Sequence, residues 1–291
     1  WRIDFQLGWD IDRDRELDPT RVRARVDAML SSQTGQVPDY DLVWKSIYTF
    51  QCRRMERFRH GPVFFAGDSA HQVSPFGARG ANSGIQDADN LGWKLHLVLS
   101  GQSVDRPVHS YSTDRDYSAD EIILNSSRST DIMTPKSSIR KGFRIAVLEI
   151  AGQYEFARPL VNSGRLSVPC SYTGFPLFAP DELPGGPDIS QPGAPCPDAP
   201  LGNGFLLDRL RGAFTLLAIR CDVPDLTPIQ GLPVQVVPIP DPSQLMAKHY
   251  LSDQRSAVYL VRPDQHVVAR WTSFDRNSIE QAMGIAIGVG G

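Results

Sequence analysis

Asp68 stands where an apolar run ends and a glycine-bearing loop begins, and that position sets the chemistry this chain is equipped for. An ionised carboxylate only accepts hydrogen bonds, so at the end of a strand it suits ribose hydroxyls. Pro75, Gly77, Gly80 and Gly84 follow, then Ile85, Ala88, Leu91, Leu95 and Val98 or Leu99 at spacings of three and four. That spacing predicts a helix, with Ser83 and Gln86 as a capping box and Gly101 as its C-terminal cap. A helix N-terminus presents unpaired N–H groups and partial positive charge, which suit an anion or a ring that becomes anionic. Glycines remove the Cβ atoms that would hold a flat ligand away from the backbone. The run Pro62–Ala66, rich in Val and Phe and ended by Gly67-Asp68, reads as a buried strand. Strand, Asp, Gly-rich loop and helix together describe a nucleotide-cofactor cradle between Gly61 and Gly101.

Two further side chains in this stretch invite a chemical role. His71 has no second His or Cys at ligand spacing, so it reads as a structural histidine that bonds the loop. Arg79, inside the glycine loop, is either a partner for a phosphate or carboxylate or a surface arginine.

The sequence GDSAH, then Pro75-Phe76-Gly77-Ala78-Arg79-Gly80-Ala81-Asn82, then Gly84 to Leu91 and Trp93-Lys94-Leu95, resembles the second FAD-binding motif of the aromatic-ring hydroxylases. These are single-component flavoprotein monooxygenases such as phenol hydroxylase and 3-(3-hydroxyphenyl)propionate hydroxylase. The resemblance implies that Gly67 and Asp68 bind the FAD ribose near the pyrophosphate. It puts Pro75 and Gly77 by the isoalloxazine and the backbone of Gly80, Ala81 and Asn82 at its pyrimidine end, with Phe76 helping to exclude water from the substrate. It implies NADPH or NADH as reductant, O2 as oxidant, and oxygen transfer from a flavin C4a-hydroperoxide to a phenol-like ring. No side-chain nucleophile is required, and no Ser/His/Asp or Cys/His constellation stands out.

Positioning these residues takes more than the motif. Trp1–Leu7 and Trp44–Cys52 alternate apolar and polar residues and read as strands. The resemblance assigns them to the sheet that covers the substrate, with Tyr48 or Phe50 as pocket wall, although aromatics on a strand more often serve sheet packing. Between them come a charged loop, Asp10–Glu16, and a helix from Pro19 to about Leu30. After the cradle, helices are predicted from Pro107 to about Met133 and from Phe143 to Phe156. Tyr111 and Arg115 on the first of these resemble a Tyr and Arg that follow the motif in the family, and they read as packing. Residues 167–203, rich in Pro and Gly, read as a linker along a surface or disordered in part.

Phe214–Ile219, Val234–Ile239, Ala257–Val261 and Val267–Trp271 then read as strands, the last two joined at Pro263-Asp264, with a closing helix from about Ser278. This order resembles a thioredoxin-like C-terminal domain, but Cys221 stands alone without C-x-x-C. The expected role is therefore structural or an oligomer contact, with a homodimer left open. The fold class is α/β and α+β. Residues 1–60 end a substrate-binding sheet region, 61–166 form the C-terminal part of an FAD-binding domain, and 204–291 form the thioredoxin-like domain.

The remaining composition sets limits. With 291 residues and a net charge of −3, the chain has room for about two domains and no basic footprint for nucleic acid. Arg53, Arg54, Arg57 and Arg59 cluster as a solvated or phosphate-facing connection rather than a basic stripe. No apolar run is long enough to cross a bilayer. Four scattered cysteines read as free thiols, hence cytoplasm, and no metal spacing occurs. The chain contains neither G-x-G-x-x-G nor Asp-Gly, so the expected partner is an N-terminal FAD-binding part of the same enzyme, beside a small aromatic substrate. Two other readings stay open: another FAD enzyme with the same cradle, such as a halogenase or an oxidase, and a non-catalytic interaction chain.

Overall fold

The computed structural model describes residues 1–8, 10–75, 78–103, 105–161, 168–210, 212–224 and 226–289. Among the described residues of the first fifty, regular structure is two helices. Asp12 caps α1 (Arg13–Glu16) by accepting from the N–H groups of Asp14 and Arg15, so the expected charged loop contains a helical turn. Asp18 caps α2 (Pro19–Thr34) in the same way, with Pro19 at its start and Gly35 at φ +72° behind it. The strands expected at Trp1–Leu7 and Trp44–Cys52 are not formed. An alternating pattern supplies a face, but a strand also needs a neighbour for its N–H and C=O groups. None of the described strands pairs with either segment, and Trp1, Trp44 and Tyr48 are exposed.

The next four strands have two residues each: β1 (Arg53–Arg54), β2 (Arg59–His60), β3 (Val63–Phe64) and β4 (His71–Gln72). They form two antiparallel pairs, β1 with β4 and β2 with β3. The buried strand expected at Pro62–Ala66 is therefore short, and Val63 is exposed: the described strand it pairs with is as short as itself.

The long helix α3 (Gly80–Leu99) begins three residues before the predicted capping box. Ser83 does not cap it. Its N–H already bonds to Arg79 O, and its hydroxyl, buried, accepts from Arg115. At the other end Gly101, at φ +71°, and Gln102 donate to Val98 O and Leu97 O, closing the helix with a Schellman motif. Helix α4 (Arg106–Met133) packs along α3, followed by α5 (Ser138–Gln153), which Ser137 caps, and α6 (Arg158–Val161). A small core of Phe58, Ala70, Tyr111 and Ala119 lies between the short strands and α4.

Residues 168–203 are a packed strap rather than a surface linker. Cys170, Tyr172, Leu177, Leu183, Ala194 and Cys196 are buried. The amides of Gly193, Cys196 and Ala179 donate to Val267 O, Gln265 O and Val268 O, and Val267 donates back to Ala194 O. Pro and Gly mark irregular backbone here, not solvent exposure. At Gly193, φ is +90° and a Cβ would fall 2.5 Å from the Thr173 N atom, so only glycine fits.

The strap leads through the hairpin β5 (Pro200–Leu201) and β6 (Gly204–Phe205) to the main sheet. There the four predicted strands appear with their expected bounds: β7 (Phe214–Ile219), β8 (Val234–Ile239), β9 (Ala257–Val261) and β10 (Val267–Trp271). An unpredicted helix, α7 (Gln244–Tyr250), precedes β9, and α8 (Arg276–Ala286) closes the chain. The order is β10-β9-β7-β8, with β7 and β8 parallel and the other pairs antiparallel. Every residue of β7, β9 and β10 is buried, as expected of strands covered on both faces. Leu216, Val258 and Leu260 face α8 and also Trp93 and Leu97 of α3. Leu217, Tyr259 and Val261 face α7 and the strap. Helix α3 thus carries the cradle at one end and joins the core of the sheet at the other.

Candidate functional site

Gly67, at φ +59°, turns the chain out of β3 into a single 3-10 turn, with Ala70 N–H bonded to Gly67 O. Asp68 on that turn is exposed, and its carboxylate makes no hydrogen bond or ion pair with a described residue. The turn rests on α3 with backbone against backbone: a Cβ on Gly84 would lie 3.3 Å from Gly67 Cα. Two glycines let strand end and helix meet this closely.

What fixes the meeting is Asp87, wholly buried one helical turn beyond Gly84. Its Oδ2 accepts from Gly67 N–H at 2.8 Å and from His71 Nε2 at 2.7 Å, while Oδ1 accepts from Arg115 Nε at 2.6 Å. Burial alone would raise the pKa of this carboxyl, but His71, Arg115 and the Gly67 amide outweigh it and hold it below the ordinary carboxylate range. His71 thus bonds the loop to the helix, as the sequence suggested, and Arg115 packs against Asp87. Tyr111 packs as well, its hydroxyl donating to Phe65 O.

Sequence reasoning missed Asp87 because it looked for an apolar stripe. Ile85 and Leu99, two members of the apolar spacing that predicted the helix, are exposed. The buried face instead carries Ser83, Asp87, Asn90 and Lys94 at spacings of four, three and four. That polar stripe was visible as a helical repeat.

The loop before α3 is anchored by Ser74, whose buried hydroxyl lies 2.7 Å from those of Ser126 and Thr130 on α4. Pro75 is exposed, Ala78 takes φ +50°, and Arg79 is buried at the head of the helix. Phe76 and Gly77 lie outside the described residues. Asn82 Nδ2 donates to Ala78 O. Since Ser83 is the first donor of the helical ladder, the amides of Gly80, Ala81 and Asn82 precede it. The structure therefore sets the Gly67-Asp68 turn against α3 at Gly84 and Asp87, one turn beyond Gly80, Ala81 and Asn82 at the head of the same helix. It does not bring Tyr48 and Phe50 there as part of a sheet: their rings lie 5.1 Å apart, outside any strand.

Beyond the cradle, the polar stripe of α3 continues into a buried ionic seam with the sheet unit. Lys94 Nζ donates to Asp114 at 2.7 Å, and Asn90 Nδ2 donates to Asp264 at 2.9 Å. Arg262 forks onto Asp264 at 2.8 and 2.6 Å and lies over the rings of Phe178 and Trp93. Burial pushes the Lys94 ammonium down to about 8 against the pull of Asp114. Two clefts of about 450 and 400 Å³ lie elsewhere, one on α8 and one between α3 and β7, and neither includes Asp68, Pro75 or Gly80. The cradle face is open, with Asp68, Pro75, Ala78 and Ala81 all exposed. Among the described residues no group of His, Cys, Asp and Glu could hold a metal, all four cysteines are free, and no helix is long and apolar enough to cross a membrane.

Comparison with known proteins bears on this geometry. A family profile described as an FAD binding domain matches residues 2–126. The "Uncharacterized aromatic compound monooxygenase YhjG" of Bacillus subtilis (strain 168) is 29% identical over 239 residues, 78% of this chain and 43% of the relative. The "Probable NADH-specific resorcinol 4-hydroxylase" of Rhodococcus jostii (strain RHA1) is 37% identical over 115 residues, 40% of this chain and 21% of the relative. The chain therefore spans less than half the length of these curated relatives. Among solved structures, the flavin-dependent monooxygenase PieE in complex with FAD and substrate matches with a TM-score of 0.73 and 24% identity, over 96% of this chain and 56% of that one. At that identity the likeness is one of fold.

Proposed function

We propose that this chain, which matches an FAD binding domain over residues 2–126 and is similar to aromatic compound monooxygenases, is part of an FAD-dependent aromatic-ring hydroxylase, a monooxygenase that hydroxylates a phenol-like ring. FAD, when bound, would supply the redox chemistry, with electrons from NADH or NADPH and O2 as the source of the inserted oxygen. The observation that carries this reading is the exposed Asp68 carboxylate, without a hydrogen-bond or ion-pair partner among the described residues, on a turn held against α3 by the Gly67–Gly84 backbone contact. An open acceptor beside a helix N-terminus fits a nucleotide cofactor, and no other described residue competes for it.

In this reading Asp68 accepts from the ribose hydroxyls, with Gly67 beside it. The amides of Gly80, Ala81 and Asn82 place partial positive charge where a reduced flavin carries negative charge. Pro75 contributes an apolar surface that keeps water from the reacting face. Tyr48 and Phe50 remain the proposed wall for an aromatic substrate. The chain has no G-x-G-x-x-G, so a pyrophosphate-binding unit of the same enzyme would complete the site. The order β10-β9-β7-β8 with its one parallel pair supports reading residues 204–291 as thioredoxin-like, and Cys221 without a C-x-x-C partner argues against a redox role for it.

The test is Asp68→Ala in the complete enzyme. FAD titration is expected to show affinity weakened by more than about tenfold, the scale of one lost charge-assisted hydrogen bond, with the melting temperature unchanged. An unaltered dissociation constant would remove Asp68 from the site and the reading with it.

A further inference from the structure

The contacts of Asp87 do not end within the cradle. Arg115, which donates to Asp87 through Nε, donates through its NH1 to the hydroxyl of Tyr172 at 2.7 Å, and its NH2 lies 3.2 Å from Ser83 Oγ. Tyr172 belongs to the strap, not to the helices. It is wholly buried, and its ring lies 4.9 Å from that of His266, which in turn bonds to the carbonyls of Asp264 and Cys170. A line of buried polar contacts thus runs from the Tyr172 hydroxyl through Arg115 and Asp87 to the amide of Gly67, with a ring contact joining Tyr172 to His266 at the turn between β9 and β10. Each guanidinium nitrogen in that line faces a different acceptor. Loss of one acceptor leaves a buried N–H unsatisfied, and the planar fork must turn as a unit to find another.

We propose that Tyr172 is a remote positioning residue for the cofactor cradle: its hydroxyl orients Arg115, Arg115 orients Asp87, and Asp87 holds the Gly67 amide and with it the Asp68 carboxylate. The strap then has a part in cofactor binding, joined to the Gly67 turn through Arg115 and Asp87. This inference rests on the function proposed above, and its test separates the two.

The experiment compares Tyr172→Phe, Asp87→Asn and Tyr250→Phe in the complete enzyme. Tyr250 is the matched control: it is equally buried in the sheet unit, and its hydroxyl donates to Pro197 O at 2.7 Å, away from the relay. Two quantities are read, the FAD dissociation constant and the hydrogen exchange of the Gly67 amide in FAD-free enzyme. Tyr172→Phe keeps the ring and its contact with His266, and is expected to weaken FAD binding about three- to tenfold and to speed Gly67 exchange by a similar factor. Asp87→Asn changes both by more, and Tyr250→Phe changes neither, even where it lowers the melting temperature as far. If Tyr172→Phe behaves like Tyr250→Phe, or Asp87→Asn leaves the Gly67 amide as protected as in wild type, the relay is overturned. If exchange responds as expected while neither these variants nor Asp68→Ala affects FAD, the relay stands and the assignment of the cradle to FAD has failed.

Discussion

The cradle and the sheet unit share one helix but are held together by opposite means. In the sheet, β7, β9 and β10 are buried along their whole length, and two apolar clusters fill the space toward α8 and α7. In the cradle the apolar core is small, and the buried face of α3 carries the polar Ser83, Asp87, Asn90 and Lys94 beside Trp93 and Leu97. Apolar packing is non-directional, so a sheet of this kind tolerates exchange of one hydrophobe for another of like volume. A buried carboxylate that accepts from three named donors tolerates no exchange without leaving one of them unpaired. Structure in the first region therefore depends on pattern, and in the second on identity.

The seam between the regions offers the sharpest way to break that comparison. Asp264→Asn leaves Arg262 buried with Asp114, 3.8 Å away, as its nearest remaining charge, and is expected to cost about 3–5 kcal/mol at neutral pH. Acid unfolding supplies the check. Burial opposes ionisation of Asp264, yet Arg262 and His266 hold its pKa well below the ordinary value. Its contribution is therefore complete above the unfolded carboxylate value of about 4 and is lost as pH falls below it. Urea unfolding should show the gap between wild type and variant shrinking from pH 7 to pH 3; a constant gap would mean that Asp264 acts by shape and not by charge.

Leu216→Ala probes the other side. Leu216 is wholly buried in the centre of the sheet, and its truncation should cost about 2–5 kcal/mol in urea unfolding, while Leu216→Met should cost less than about 1.5 kcal/mol. Both variants, measured while folded, should bind FAD as wild type does. Impaired FAD binding in Leu216→Met would show that the cradle feels sheet packing in general rather than the polar relay.

This division also explains what could be read from the sequence. The bounds of β7 to β10 followed from apolar runs bounded by turns, since each strand has its partners within the chain. Trp1–Leu7 and Trp44–Cys52 have equally good alternation but no partner among the described strands, so the pattern did not become structure. Residues 168–203 were misjudged because Pro and Gly report backbone geometry rather than burial, and Tyr172 and Gly193 are packed beneath that composition. In the cradle, the order of turn and helix was legible, and the structure forms both, at Gly67–Ser69 and Gly80–Leu99. Asp87 was not, because one acidic residue on a helix reads as solvated until its three donors, from residues 67, 71 and 115, are brought together by the fold.

The finest distinction lies within α3, between two glycines that the sequence alone treats alike. A Cβ at Gly92 would meet nothing within 4 Å, whereas one at Gly84 would press on Gly67 Cα at 3.3 Å. Alanine in a helix interior is favoured over glycine by about 1 kcal/mol, so Gly92→Ala should raise stability by about that much and leave FAD affinity alone. At Gly84 the same gain is offset by the push on Gly67, whose φ of +59° leaves the turn little room to adjust. Gly84→Ala is therefore expected to change stability by less than about 1 kcal/mol in either direction, yet to weaken FAD binding, because a few tenths of an ångström at Gly67 carry the Asp68 carboxylate with them. Thermal melts and FAD titrations of the two variants side by side decide the point. If Gly84→Ala is as stabilising as Gly92→Ala and binds FAD equally well, the close approach of turn and helix is incidental, and the cradle would depend on pattern as the sheet does.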